Sequence, residues 1–397
     1  MTWNAIAALV LVAPVVYAVA TEAPAGYDNL TNGFITQAQF DLDKETFDTF
    51  EEIDEGLGPV YNAQACRECH QNPVSGTASQ ITELRVGRFD GFTFTDRPGG
   101  SLINDRAINA AIQERVAGAD NVADLRASLN ILGDGFIEAL PDSAFNNIRN
   151  AQPSGMKGQI INVPVLESPG TTRIGRFGWK NQQASLLSFS ADAYVNEMGI
   201  TSPLQPTENT TNGASVAAFD TVADPEEAAT ATEPFGPDVE AFARFMRATK
   251  VPPRDAAVIN TTDVVNGGSL FTAIGCNICH TASLTTAPAG TVFNGGKFVV
   301  PAALGDKIIH PYSDFMLHDV GTGDGIVQNG GQSTRNKLRT PPLWGLRTRS
   351  RLMHDLLSIT RNDAILRHTN EAEPIIQNYL SLSTTQKNQL IAFINSL

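Results

Sequence analysis

The chain has 397 residues and a formal net charge of −14, with 42% hydrophobic and 18% charged residues. That balance excludes wholesale disorder, and the acid excess excludes a general affinity for nucleic acid, which needs a basic face. At roughly 150 residues per domain the length allows two domains or one large one, enough to bury a core without staples.

Ala5 to Ala20 carries no charge, and Ala18-Val19-Ala20 has the small-x-small form of a leader cleavage site. Residues 1–20 therefore read as a signal peptide, and the mature chain as periplasmic or otherwise exported. The first Lys or Arg is Lys44, so the positive charge usual before such a segment is missing, and retention as an anchor stays open. Residues 22–55 hold ten acids against Lys44 alone and read as a solvated face. Helices are expected over 103–116 and 121–132. Between Asn181 and Ala243 there is no Lys, Arg or His, and 202–238 reads as an acidic surface excursion.

Asp238 is expected to cap a helix running to about Lys250, with Val239, Phe242 and Met246 on one face and Pro252-Pro253 stopping it. A boundary near there divides an N-terminal domain, 21–255, from a C-terminal one, 256–397. Thr262 or Asp263 opens the next helix, which leads into Cys276. The last helix starts at a capping box, Ser383-x-x-Gln386, and presents Leu390, Ile391, Ile394 and Leu397 to a core. The expected fold is mainly α, with two cytochrome c-like domains and long loops; Gly 33 and Pro 22 supply the loops.

All four cysteines fall in two copies of one pattern: Cys66-Arg67-Glu68-Cys69-His70 and Cys276-Asn277-Ile278-Cys279-His280. Cys-x-x-Cys-His is the attachment pattern of c-type haem. Two thiols bond the vinyl groups of one macrocycle, and the adjacent imidazole reaches the iron. A redox dithiol does not need the trailing histidine twice. A shared zinc site would have to join ligands 210 positions apart. Two covalently bound haem c groups are therefore expected, and their attachment outside the cytoplasm supports export. His70 and His280 are the expected proximal ligands.

Two haems admit an electron carrier with both irons six-coordinate, or an enzyme with one open iron. No histidine lies between 71 and 279; the four outside the motifs are His310, His318, His354 and His368. The first haem thus has an open or water-filled sixth position unless Met156, another weak ligand or a C-terminal histidine enters. The second haem is expected to gain a histidine, and that asymmetry favours an enzyme.

Gly58-Pro59-Val60-Tyr61-Asn62-Ala63, Arg176-Phe177-Gly178-Trp179-Lys180, Asn196-Glu197-Met198-Gly199-Ile200, His310-Pro311-Tyr312-Ser313-Asp314 and Arg339-Thr340-Pro341-Pro342-Leu343-Trp344 resemble the bacterial di-haem cytochrome c peroxidase superfamily. The similarity is to its di-haem oxidoreductase branch and covers roughly 40–397. The resemblance implies catalytic roles: Trp179 as a relay between haems, Glu197 as acid/base beside the peroxidatic haem, and Arg339 near the inter-haem region. His354 fits a recurrent Phe-His-x-Gly phrase. His368 falls where classical peroxidases place a methionine ligand, and is the expected sixth ligand of the second haem, with His318, His310 or Met316 as alternatives.

Histidine there lowers the haem potential, which makes exchange with a high-potential donor inefficient. The expected partners are hydrogen peroxide or a similar small oxidant, and a redox protein such as a small cytochrome or copper protein. Arg339, Arg347 and neighbours are expected to pair with haem propionates. The resemblance leaves room for calcium (Ca2+) between domains, without matching ligands. A peroxidase, an electron-transfer cytochrome and an oxidase that modifies a partner protein all remain open. A "thiol oxidoreductase" label is discounted, because haem attachment consumes the thiols. Oligomeric state is unassigned.

Overall fold

Thr36 caps the first helix, Gln37–Asp48, its hydroxyl accepting from Gln39 N at 3.2 Å. Phe40 and Phe47 lie on one face of it. They meet Phe245 of the helix Pro237–Ala248 with ring centroids 5.3 and 4.8 Å apart, each pair contributing about 0.5–1.5 kcal/mol beyond area burial. Asp43 on the same helix is buried and paired with Arg244. The acidic segment 22–55 is thus partly core, not a wholly solvated face. These descriptions come from a computed structural model, which describes residues 19–224 and 228–397. The expected leader lies outside them, apart from its last two residues.

A four-stranded antiparallel sheet follows the first haem motif. Its central strand, Thr82–Phe89, pairs with Phe94–Thr95, Leu102–Ile103 and Val122–Ala127. The helices expected over 103–116 and 121–132 do not form. In their place stand short strands, a 3-10 turn at Ala110–Ile112 and the strand Val122–Ala127. A remote partner decided this: six residue pairs run from Thr82↔Ala127 to Gly87↔Val122. In that register Glu83 faces Arg126 and Arg85 faces Asp124, so opposite charges meet across the strands.

Gly236, not Asp238, caps the helix Pro237–Ala248, with Pro237 at its first position. Asp238 sits in the first turn and accepts from Tyr194 Oη at 3.1 Å. The segment after 202 is not free of the core either. Val216 is buried with Val60 and Ile112, and Gly213 packs on Pro98.

The helix Thr262–Ala273 crosses the last helix, Thr384–Ile394, closely enough that a Cβ on Gly267 would lie 2.0 Å from Gln389 O. Phe271 and Phe393 meet there with tilted rings, centroids 5.3 Å apart. The capping box at Ser383 and Gln386 is formed, and Leu390, Ile394 and Leu397 are buried. The strand Thr21–Glu22 pairs in parallel with Lys307–Ile309.

Helix accounts for 31% of residues and strand for 15%. Helix outweighs strand, yet strands form part of the wall of the first cavity described below. The largest core cluster spans Phe40 to Trp344, so side chains on both sides of residue 255 share it. Among the described residues no helix is long and apolar enough to cross a membrane.

Candidate functional site

Each Cys-x-x-Cys-His sequence opens on its own cavity. Cys66, Cys69 and His70 line one of about 430 Å³, with Glu83, Arg85, Arg126, Trp179, Asp192 and Glu197 in its wall. Cys276, Cys279 and His280 line a second of about 220 Å³, with Trp179, Arg339, Trp344, Arg349, His354 and His368. Trp179 belongs to both walls. Its indole Nε1 donates to Ala127 O at 2.8 Å, and its ring meets His354 edge-on at 6.0 Å.

The residues present fit haem. His70 Nδ1 lies 3.0 Å from Thr77 O and His280 Nδ1 2.9 Å from Tyr312 O. Each Nδ1–H therefore donates to a carbonyl, the arrangement that presents Nε2 to a metal. Burial pushes both imidazoles down to about 4, so they are neutral, as ligands must be. Burial also pushes the Cys69 and Cys276 thiols up to about 12, which removes the thiolate that dithiol redox chemistry needs. In the second cavity Arg339 Nε, Trp344 Nε1, Arg361 Nε and His354 Nδ1 are buried without a hydrogen-bond partner. Burial lowers Arg339 and Arg349 to about 10. A buried guanidinium with spare donors calls for an anion, and haem propionates are anions. Arg347, expected in that role, instead covers the Tyr27 ring and donates to Pro253 O.

The remaining histidines divide cleanly. His368 lines the second cavity with Nδ1 2.8 Å from Ala364 O. His318 also lines it, but Asp314 holds one ring nitrogen at 2.9 Å and Glu371 the other at 2.7 Å. Burial works against charging His318, yet these hydrogen bonds outweigh it and lift its pKa well above the usual histidine value. His310 is exposed between Ser283 and Glu22. Met316 is buried outside the lining. Met156, considered for the first haem, lines the second cavity. His354 donates to Asp124 through Nε2 at 3.1 Å.

Glu197 sits on a widened helical turn, Tyr194–Met198, a feature common at functional sites. Gly199 ends the turn at φ 70°, where a Cβ would come within 2.8 Å of the Gly58 and Val60 backbone. Glu197 O accepts from the Asn62 and Ala63 amides, and its carboxylate from Asn62 Nδ2 at 2.9 Å. Burial, then the neighbouring Glu83 charge, raises the Glu197 carboxyl to about 8. Glu83 is hydrogen-bonded to it. Burial would raise Glu83 too, but the Arg85 guanidinium outweighs that and holds it below the ordinary glutamate value.

Of the three nominated catalytic residues, then, Glu197 lines the first cavity, Trp179 lies between, and Arg339 faces the second. The Arg339 amide donates to Trp179 O at 2.8 Å and its Nη1 to Arg176 O at 3.0 Å. Glu83, Arg85 and Arg126 escaped the sequence reading; the alternation Thr82-Glu83-Leu84-Arg85-Val86 was the available signal. A buried ion cluster, also unforeseen, runs from Arg126 in the first cavity's wall to Lys180, the residue after Trp179. Arg126 Nε binds Asp324 at 2.8 Å, and Asp324 binds Lys180 Nζ at 2.7 Å. Lys180 also donates to the carbonyls of Thr334, Arg335 and Lys337.

The one group of three metal-ligating side chains among the described residues is Cys279, Asp314 and His318. Its sulfur and committed imidazole do not make the oxygen shell that calcium takes.

The model of the family described as "Di-haem oxidoreductase, putative peroxidase" matches residues 103–397. The chain belongs to this family, and is an oxidoreductase of the two-haem kind. No curated protein matches. Solved structures with distant likeness include hydrazine synthase of Kuenenia stuttgartiensis (13% identity, all of both chains, TM-score 0.44). A MauG-like protein associated with microbial copper homeostasis is 14% identical over 98% of this chain and 95% of its own, TM-score 0.41. The diheme peroxidase of Burkholderia thailandensis is 13% identical over 96% and 95%, TM-score 0.43.

Proposed function

We propose that the chain is an exported, peroxidase-like oxidoreductase with two covalently attached haems. Oxidant reacts in the first cavity and electrons arrive through the second from a small redox protein. The observation that carries this is the shared Trp179 wall between unlike cavities: one has acid/base side chains, the other a spare histidine. Cys66, Cys69 and His70 would hold one haem; Cys276, Cys279, His280 and His368 the other. Bound there, the haems supply an iron that takes the oxidant and a store of electrons.

The protein's own part is the handling of protons. Overall, hydrogen peroxide takes two electrons and two protons and gives two waters. Glu83 and Glu197 have their proton affinities pushed apart, the pattern that assigns base and acid. Glu83, ionised beside Arg85, accepts the peroxide proton. Glu197, protonated at neutral pH, donates to the departing oxygen. The acid/base role expected of Glu197 alone is here divided between two carboxylates. Trp179, fixed by Ala127 O, carries electrons between the cavities.

Electron paramagnetic resonance of the ferric protein tests the reading. One high-spin and one low-spin signal are expected, the high-spin one lost on one equivalent of peroxide. Two low-spin signals indifferent to peroxide, in the oxidised and half-reduced protein, would leave an electron carrier.

Trp179→Phe is expected to slow electron transfer between haems about tenfold or more, equivalent to roughly 1.4 kcal/mol of barrier, while peroxide still removes the high-spin signal. Stopped-flow spectra report both steps; an unchanged transfer rate removes Trp179 from the path. His368→Met is expected to raise the second haem's potential by on the order of 0.1 V, within the roughly 0.8 V that axial ligands span. Redox titration measures this, and an unaltered low-spin spectrum would mean that another group is the ligand.

A further inference from the structure

Six acidic or guanidinium side chains line the first cavity: Glu83, Arg85, Asp96, Arg126, Asp192 and Glu197. Two of them are cations, and they are not equivalent. Arg126 is committed, with Nε on Asp324 and Nη1 on Gln328 Oε1 at 2.6 Å. Arg85 is gripped along one edge only. Its Nε donates to Glu83 Oε1 at 2.8 Å and its Nη2 to Glu83 Oε2 at 3.0 Å. Among the described residues Nη1 has no hydrogen-bond partner. Strand geometry explains the placement: residues two apart point to the same side, so Glu83 and Arg85 enter the cavity wall together. The bidentate pair fixes the guanidinium plane and leaves its other edge for a ligand.

We propose that Arg85 is a further catalytic residue of this cavity beside Glu83 and Glu197, receiving through Nη1 the negative charge that gathers on the oxidant's departing oxygen. The inference rests on the peroxidase-like reading and extends it. In the overall two-electron reduction the O–O bond breaks, Glu197 gives the proton that turns the departing oxygen into water, and the other oxygen becomes the second water with the proton held by Glu83 and one from solvent. Arg85 forms and breaks no bond. It stabilises the oxygen while it is anionic, before the proton is in place, as fixed donors do in oxyanion sites. Glu83 is its positioning residue. The same edge favours small anionic ligands over neutral ones, which gives a readout independent of turnover.

Fluoride and imidazole binding to the ferric holoprotein, followed by the haem absorption bands, test this. Arg85→Gln is expected to weaken fluoride binding about 10- to 100-fold, the usual worth of a hydrogen bond to a charged group, and to leave imidazole affinity unchanged. Peroxide kcat should fall by about 10²–10³, the scale of losing one oxyanion donor. Arg85→Lys should recover part of the fluoride affinity. Equal loss of both ligands, or of neither, overturns the proposal. Should Arg85→Gln fail to load haem, Glu83→Gln keeps the cation but frees it; a selective change in fluoride affinity then supports the proposal and none overturns it. If the wild-type protein binds neither ligand and shows two low-spin signals, the peroxidase-like reading itself has failed, and Arg85 falls with it.

Discussion

Glu197→Gln is expected to reduce peroxide turnover by about 10²–10⁴, the contribution of a positioned acid or base, while both haems are retained. Glutamine keeps the size of the side chain and can still meet Asn62, so a loss of rate reports the proton. The pH profile makes the argument specific. Glu197 is raised to about 8 by burial and by Glu83, so it holds its proton at neutral pH and loses it as pH rises through about 8. Activity should fall on that side. Glu83, held low by Arg85, ionises below the ordinary glutamate range, so the acid-side loss lies below that range too. The groups facing Glu197 are Glu83, Arg85, Asn62 and the Cys69 sulfur. Glu197→Gln should abolish the alkaline fall as well as lower the rate. A variant that keeps both the rate and the fall would show that another group supplies the proton.

Asp324→Ala is expected to destabilise the protein by about 3–5 kcal/mol, the cost of leaving buried charge without its partner. Asp324 and Lys180 are fully buried and Arg126 is 1% exposed, so water does not replace the missing carboxylate. Burial would raise the Asp324 carboxyl, but Arg126 and Lys180 outweigh it and lower it. The stabilisation is therefore present at neutral pH and is lost as pH falls below the usual aspartate range. Burial, opposed by Asp324, lowers the Lys180 amine to about 8. Without Asp324 it should fall further and the lysine become neutral. Urea unfolding of the holoprotein measures the change; a loss under about 1 kcal/mol, the scale of an exposed pair, would show that the cluster does not hold the fold together. Asp324→Asn, which keeps the size but only one of the two accepting oxygens and none of the charge, should also destabilise the protein. Because Lys180 follows Trp179 directly, the alanine variant should also slow transfer between haems.

The sequence by itself determined where the two candidate haem attachment sites lie, because Cys-x-x-Cys-His is a local pattern complete within five residues. It determined the last helix for the same reason: Ser383 and Gln386 cap it three residues apart, and its apolar spacing is read within one element. Trp179, Glu197 and the candidate ligand His368 were legible through contiguous phrases, and the roles expected of them came from the resemblance those phrases carry. What the tertiary structure alone decided is everything that depends on pairing between distant segments. Residues 121–132 looked helical in isolation, but Val122–Ala127 became a strand because Thr82–Phe89 offered six partners. That pairing brings Glu83 and Arg126 opposite one another, and with the turn at Glu197 it assembles carboxylates and guanidiniums in one cavity. Likewise the acidic run 22–55 looked solvated until Arg244, some 200 positions away, neutralised Asp43 and let Phe40 and Phe47 into the core. Side-chain charge is written in the sequence; whether water or a remote partner satisfies it is settled only when the chain has folded.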